Sequence, residues 1–193
     1  MTVSIYERYR HLLLDEIVPF WFRHGVDHER GGIFTCMAED GRRLSDDKYI
    51  WSQARWAWVC SALYNRIERR PEWLEAASKT VRFLLDHGRD AQGRWLFAVT
   101  RDGQPKEPHT SIFSDCFAVY AFGEYYRATG DQAVLDVALG DFARIRRRVE
   151  EPDFSEVAPA TLLPGRRLHA VPMILTEVAN ELGDEAAAEE YAQ

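Results

Sequence analysis

Apolar residues recur at helical spacing along nearly the whole chain, in periodic segments near residues 3–24, 48–69, 72–88, 112–129, 131–149 and 168–182. The pattern predicts an all-α protein with elaborated loops. Pro19 falls inside the first segment. Because it lacks a backbone donor and its ring meets the preceding turn, it predicts a kink or break there. Two stretches leave the helical period. Gly31–Arg42 reads as a short strand pair turning at Asp40-Gly41, and Arg94–Gly103 as a second turning at Asp102-Gly103.

The junctions between segments repeat. Tyr64–Glu72, Tyr126–Asp131 and Asn180–Asp184 each combine a helix end, a tight turn and an acidic start to the next helix. Glycine tolerates the positive φ of a helix C-terminus, aspartate caps the following helix, and Pro71 suits a first turn. Successive junctions lie about 53 to 60 residues apart, the period of a toroid of helix pairs, of which the chain holds roughly three. Residues 1–193 are expected to form a single domain. The Ala-rich segment after Asp184 opens a helix and stops without a C-cap. This gives the expectation of a truncated N-terminal half.

The segment Lys48-Tyr49-Ile50-Trp51-Ser52-Gln53-Ala54-Arg55-Trp56-Ala57-Trp58 is the richest in chemistry. On a helix, Lys48, Trp51, Arg55 and Trp58 fall at i, i+3, i+7 and i+10, one stripe with charged heads between flat rings. An indole covers the C–H face of a sugar while a guanidinium donates to its hydroxyls. The plainer alternative makes Trp56 and Trp58 core residues and pairs Arg55 with a carboxylate.

Composition removes several classes of function. A net charge of −7, with Arg146-Arg147-Arg148 as the longest basic run, argues against nucleic acid, and the run suits a solvated helix C-terminus. No apolar segment is long enough to span a bilayer, so no membrane partner is expected and a cytoplasmic location is the default. Cys36, Cys60 and Cys116 are odd in number and lack zinc spacing. His24 and His28 stand at i, i+4 but with Gly25 between them, so no metal is expected. No phosphate loop, dinucleotide fingerprint or G-x-S-x-G elbow occurs, and no cofactor is expected.

Two further stretches, Ser111–Phe122 and Gly165–Leu175, begin the fourth and sixth helices with polar clusters before apolar bodies. With Lys48–Arg55 they set polar groups at equivalent ends of the second, fourth and sixth helices, lining one mouth of a ring. The ordered set of Asp27–Phe34, Lys48 with Trp51-x-Gln53-x-Arg55, Arg94–Gly103, Ser114–Ala118 with Ala128–Asp131, and Val171–Ile174 resembles the N-acylglucosamine 2-epimerase family. That family includes cellobiose 2-epimerases and mannose-type aldose–ketose isomerases.

The resemblance implies an (α/α)6 barrel about twice as long as this chain, with even-numbered helices inside. It also implies proton transfer at C2 of an opened sugar through an enediolate, with two histidines as acid and base and an arginine on the substrate oxygens. Arg55 matches that arginine, and the two histidines are expected beyond residue 193. Lys48, Trp51 and Gln53 are the accompanying substrate-binding candidates. Asp115 either binds sugar hydroxyls or caps the helix or pairs with Arg55. His169 either contacts substrate, as a third histidine does in some members, or serves a local structural role. His11, His24, His28, His87 and His109 are expected in loops or on the surface. The expected partner is a small sugar, and a homodimer stays open. Two other functions compete: a glycoside hydrolase on the same toroid, using carboxylates such as Asp115 and Glu39, and a non-catalytic carbohydrate-binding helical scaffold.

Overall fold

The computed structural model describes residues 4–151, 154 and 169–192; Gly165–Leu168, assigned above to the mouth of the sixth helix, lies outside them. Within these residues the predicted helices form. The first segment is α1 (Ile5–His11), a π-helical turn (Leu12–Ile17) and α2 (Val18–His24), running on without a break. Pro19 therefore acts differently from the expected kink. The widened turn comes immediately before it, where a hydrogen bond from Val18 reaches back to Leu13. Widening there relieves the meeting of the proline ring with the turn it follows.

Three helical hairpins follow: α3 (Ile50–Arg66) with α4 (Pro71–His87), α5 (Ile112–Thr129) with α6 (Gln132–Glu150), and α7 (Ala170–Leu182) with α8 (Glu185–Tyr191). The repeated junctions have the chemistry expected of them. Gly130 and Gly183 end α5 and α7 in the left-handed conformation, at φ 72° and 76°. Asp131 accepts hydrogen bonds from Ala133 and Val134 N–H, and Asp184 from Ala187 N–H, so each next helix starts capped. The first junction has no such glycine, and there Pro71 starts α4.

Packing follows the order of the hairpins. α3 lies against α5 and α5 against α7, making an inner row, while α4, α6 and α8 pack behind their own partners. Small residues allow the inner helices to approach: Ala54, Ala57 and Cys60 on α3 and Cys116, Ala118 and Ala121 on α5 are fully buried. Trp95, Phe122 and Leu84 fill the space behind them. Each large apolar side chain so buried contributes about 1.5–3 kcal/mol.

The loops hold two corrections. Lys48 and Tyr49 do not begin the helix; they form β1 (Lys48–Tyr49), antiparallel to β2 (Ala98–Val99), which pairs in turn with β3 (Pro105–Glu107). The Asp102-Gly103 turn joins β2 to β3, with Gly103 donating to Thr100. The expected strand pair at Gly31–Arg42 is reduced to isolated bridges, Val26 with Ile33 and Met37 with Arg43, although the turn at Gly41 is present. Isolated backbone hydrogen bonds and buried side chains, rather than a ladder, hold this loop.

Candidate functional site

Beneath the start of α3 the loops are fastened by a buried ion cluster. Lys48 is fully buried, and its ammonium donates to Asp27 Oδ2 at 3.0 Å, Gly31 O at 2.7 Å and Arg101 O at 3.1 Å. The Arg101 fork reaches both oxygens of Asp27, at 2.9 and 3.0 Å, and also Glu29. Burial alone would raise the Asp27 pKa, but Arg101 and Lys48 hold it well below the usual carboxylate range. Burial lowers the Lys48 pKa, opposed by Asp27. Gln53, also fully buried, accepts from Ile33 N–H at 2.7 Å and donates to Ile33 O at 2.8 Å. A Cβ at Gly32, where φ is +82°, would stand 2.4 Å from Gln53 Oε1, so this clamp requires glycine. Lys48 and Gln53, both expected among the substrate-binding residues, thus serve to fasten the loops in this structure. Their donors are spent on backbone and on Asp27, and neither reaches an open surface.

The stripe survives without its first member. Trp51, Arg55 and Trp58 sit at i, i+4 and i+7 on α3, facing Phe117 and Tyr120 on α5. Trp51 is 37% exposed. The Arg55 guanidinium lies over two rings, 4.7 Å from the centroid of Trp51 and 4.1 Å from that of Phe117. Partial burial lowers its pKa, and among the described residues no carboxylate compensates. An arginine so placed keeps its charge, with its N–H fork free to receive oxygen atoms. One turn further along, Trp58 stacks on Tyr120 at 5.1 Å with 20° between planes. The Trp58 indole nitrogen is buried without a partner among the described residues. Trp56, by contrast, packs against Phe22 in the core.

The wall's far end is closed by charge. Fully buried Glu124 accepts from Asn65 at 2.9 Å and Arg66 at 2.6 Å and pairs with Arg127, which also bonds Glu181. Burial opposes ionisation of Glu124, but these donors lower its pKa. One network therefore joins α3, α5 and α7.

Asp115 does not face this wall. It lies two residues before Phe117, about 200° around the helix from it. Its carboxylate meets His109 Nε2 at 2.8 Å in a cleft of about 430 Å³ between α5 and the end of α6. It neither pairs with Arg55 nor caps α5, a task performed by Ser111. Glu39 is exposed on its own loop. His169 stands exposed just before α7, without a side-chain cap bond. Among the described residues no group of three or more His, Cys, Asp or Glu could hold a metal, and no helix is long and apolar enough to cross a membrane. Phe117, Tyr120 and the α7 residues Met173 and Glu177 are absent from the sequence-derived set. Spacing on α5 and the repeat of the hairpins carry the signal that finds them.

The chain is 39% identical to N-acylglucosamine 2-epimerase of Bos taurus over 177 residues, covering 89% of this chain and 42% of the bovine protein. It is 33% identical to cellobiose 2-epimerase of Bacteroides fragilis over 129 residues, 66% of this chain and 33% of that protein. The chain thus spans less than half the length of these relatives. Its fold superposes on a sugar epimerase from a ruminal bacterium with a TM-score of 0.81 and 22% identity, covering 98% of this chain and 53% of that one. That neighbour is an (α/α)6 toroid, and three hairpins are half of one. The family described as N-acylglucosamine 2-epimerase (GlcNAc 2-epimerase) matches residues 32–191, and the chain belongs to it.

Proposed function

We propose that the inner wall is the N-terminal half of a sugar 2-epimerase or aldose–ketose isomerase site, in which Arg55 stabilises an enediolate. The observation that carries this reading is the Arg55 guanidinium, set between Trp51 and Phe117 with no carboxylate to neutralise it among the described residues. Loss of the C2 proton from an open-chain aldose moves negative charge onto the C1 oxygen. A planar fork holding both the C1 and C2 oxygens lowers the energy of that state more than of the neutral sugar. Return of a proton to the opposite face of C2 gives the epimer; return to C1 gives the ketose. The flanking rings lie against the exposed guanidinium and favour one plane for its fork, and Trp51 offers a face to sugar C–H groups. Proton transfer needs a group titrating near neutrality. His109 is turned to Asp115, and no other histidine is recorded on the wall among the described residues. The chain alone is therefore expected to orient substrate without exchanging its C2 proton.

A chimera tests this. With the present chain replacing the matching N-terminal part of the bovine relative, solvent deuterium should enter C2 of N-acetylmannosamine. The 193-residue chain alone should leave C2 unlabelled above a buffer control. A folded chimera without exchange overturns the proposal.

A further inference from the structure

Three glutamates lie toward the far end of the inner helices. Glu124 and Glu181 are paired through Arg127, and Glu124 also through Asn65 and Arg66. Glu177 is exposed, and among the described residues it has neither a hydrogen bond nor an ion pair. Its place on α7 is set by the repeat. Glu177 stands six residues before Gly183 as Glu124 stands six before Gly130, and Met173 matches Tyr120 in the same way, ten residues before each glycine. Met173 and Glu177 thus take on α7 the positions that Tyr120 and Glu124 take on α5. Glu124 reaches back to the preceding inner helix, at Asn65 and Arg66. Glu177 holds the same register on α7, which packs against α5, though exposed where Glu124 is buried, and its charge adds to burial in raising the pKa of Tyr120.

Tyr120 is half-buried, with its ring on Trp58 and no hydrogen bond to its hydroxyl among the described residues. An unpaired phenol, an unpaired carboxylate and a stacked indole make a surface suited to neutral polyols. The carboxylate accepts from two hydroxyls, the phenol both donates and accepts, and the rings cover C–H faces. The carboxylate is unsuited to the enediolate, whose charge it repels. The two poles of the wall therefore have different tasks.

We infer that Glu177 and Tyr120 bind the hydroxyl-bearing tail of an open-chain sugar while Arg55 holds its carbonyl end, an assignment that rests on the sugar-site reading above. Mannitol carries the tail without a carbonyl; gluconate carries the tail with a charged carboxylate where the reacting oxygens would be. Both are titrated into the 193-residue chain by calorimetry and tryptophan fluorescence, with glycerol as a short control.

Glu177→Gln should weaken mannitol and gluconate alike by about fivefold to tenfold, and Tyr120→Phe by about threefold, the scale of lost hydrogen bonds to charged and neutral groups. Arg55→Ala should weaken gluconate at least about tenfold and mannitol less than about twofold. Glycerol should not bind. Mannitol affinity unchanged in Glu177→Gln, or no mannitol binding at about 100 mM, overturns the tail assignment even where gluconate still depends on Arg55. Gluconate binding indifferent to Arg55→Ala overturns the underlying site instead. Glu177 is exposed and, among the described residues, unpaired, so its variant folds and decides the matter if Tyr120→Phe does not.

Discussion

Lys48 and Arg55 lie within one stretch of sequence, on either side of the start of α3, and have opposite surroundings. The Lys48 ammonium has three oxygen partners and is fully buried; the Arg55 guanidinium has two aromatic faces and, among the described residues, no oxygen. A cation whose donors are all satisfied within the protein has nothing left to offer a ligand. A cation stripped of part of its hydration and left unpaired is held in a state that a ligand oxygen improves. Satisfaction, rather than residue type, separates the fastening of the loops from the wall they support.

The largest effect should come from breaking the fastening. Lys48→Met leaves Asp27 buried beside Arg101 alone, and Asp27→Asn leaves Lys48 without its counter-charge. Each should cost about 3–5 kcal/mol of stability in urea unfolding, the scale of an orphaned buried charge. The sign with pH is fixed by Asp27, whose folded pKa is depressed. Its contribution is complete above the unfolded value of about 4 and is lost as pH falls through the folded one. The stability gap between wild type and Asp27→Asn should therefore close on acidification below about pH 4. A constant gap from pH 7 to pH 2 would show that Asp27 is not the ionised centre of the cluster.

Arg55 should show the reverse balance. In the active chimera, Arg55→Ala should lower kcat by about 10²–10³. Stability should change by less than about 0.5 kcal/mol, because no protein group is left unpaired. Arg55→Lys should recover little, since an ammonium does not reproduce the planar fork. Loss of folding in Arg55→Ala, or kcat within about threefold of the parent, would return Arg55 to a structural role and erase the contrast with Lys48.

The sequence makes the hairpins legible because their signals are local: helical spacing, Pro71 at a first turn, and Gly130 and Gly183 ahead of capping aspartates. It makes Arg55 and Trp51 legible because they share a helix face. Lys48 escapes the same logic. A two-residue strand has no period to detect, and the partners that consume the ammonium come from 17, 21 and 53 residues away in the chain. Gln53 lies beyond local reading for the same reason, its partner being 20 residues distant. Glu177 and Tyr120 become visible only when α5 and α7 are aligned on their glycine ends.

Trp51 provides a smaller test of the wall. In the chimera, Trp51→Ala should raise KM about threefold to tenfold and leave kcat within about twofold, because a stacking surface holds substrate and transition state about equally. A large fall in kcat would mean that Trp51 controls the plane of the Arg55 fork, and that Phe117 alone does not hold it.

The smallest effect is expected at Asp115, a candidate for sugar binding from the sequence whose carboxylate meets His109 in this structure. Its carboxylate points away from Trp51, Arg55 and Phe117 and is engaged by His109 at 2.8 Å. A hydroxyl on the inner wall would have to pass through α5 to reach it. Asp115→Asn should therefore change gluconate and mannitol affinity by less than about twofold in the 193-residue chain. It keeps the side chain's size and one acceptor oxygen, so the hydrogen bond with His109 persists in weaker form and stability should fall by about 1 kcal/mol or less. Chemical-shift changes in Asp115→Asn should be confined to His109, Ile112 and the end of α6. A tenfold loss of gluconate affinity, or shifts at Trp51 and Trp58 Nε1–H, would show that the cleft and the wall act together, and the division drawn here between satisfied and unsatisfied groups would then fail at its nearest boundary.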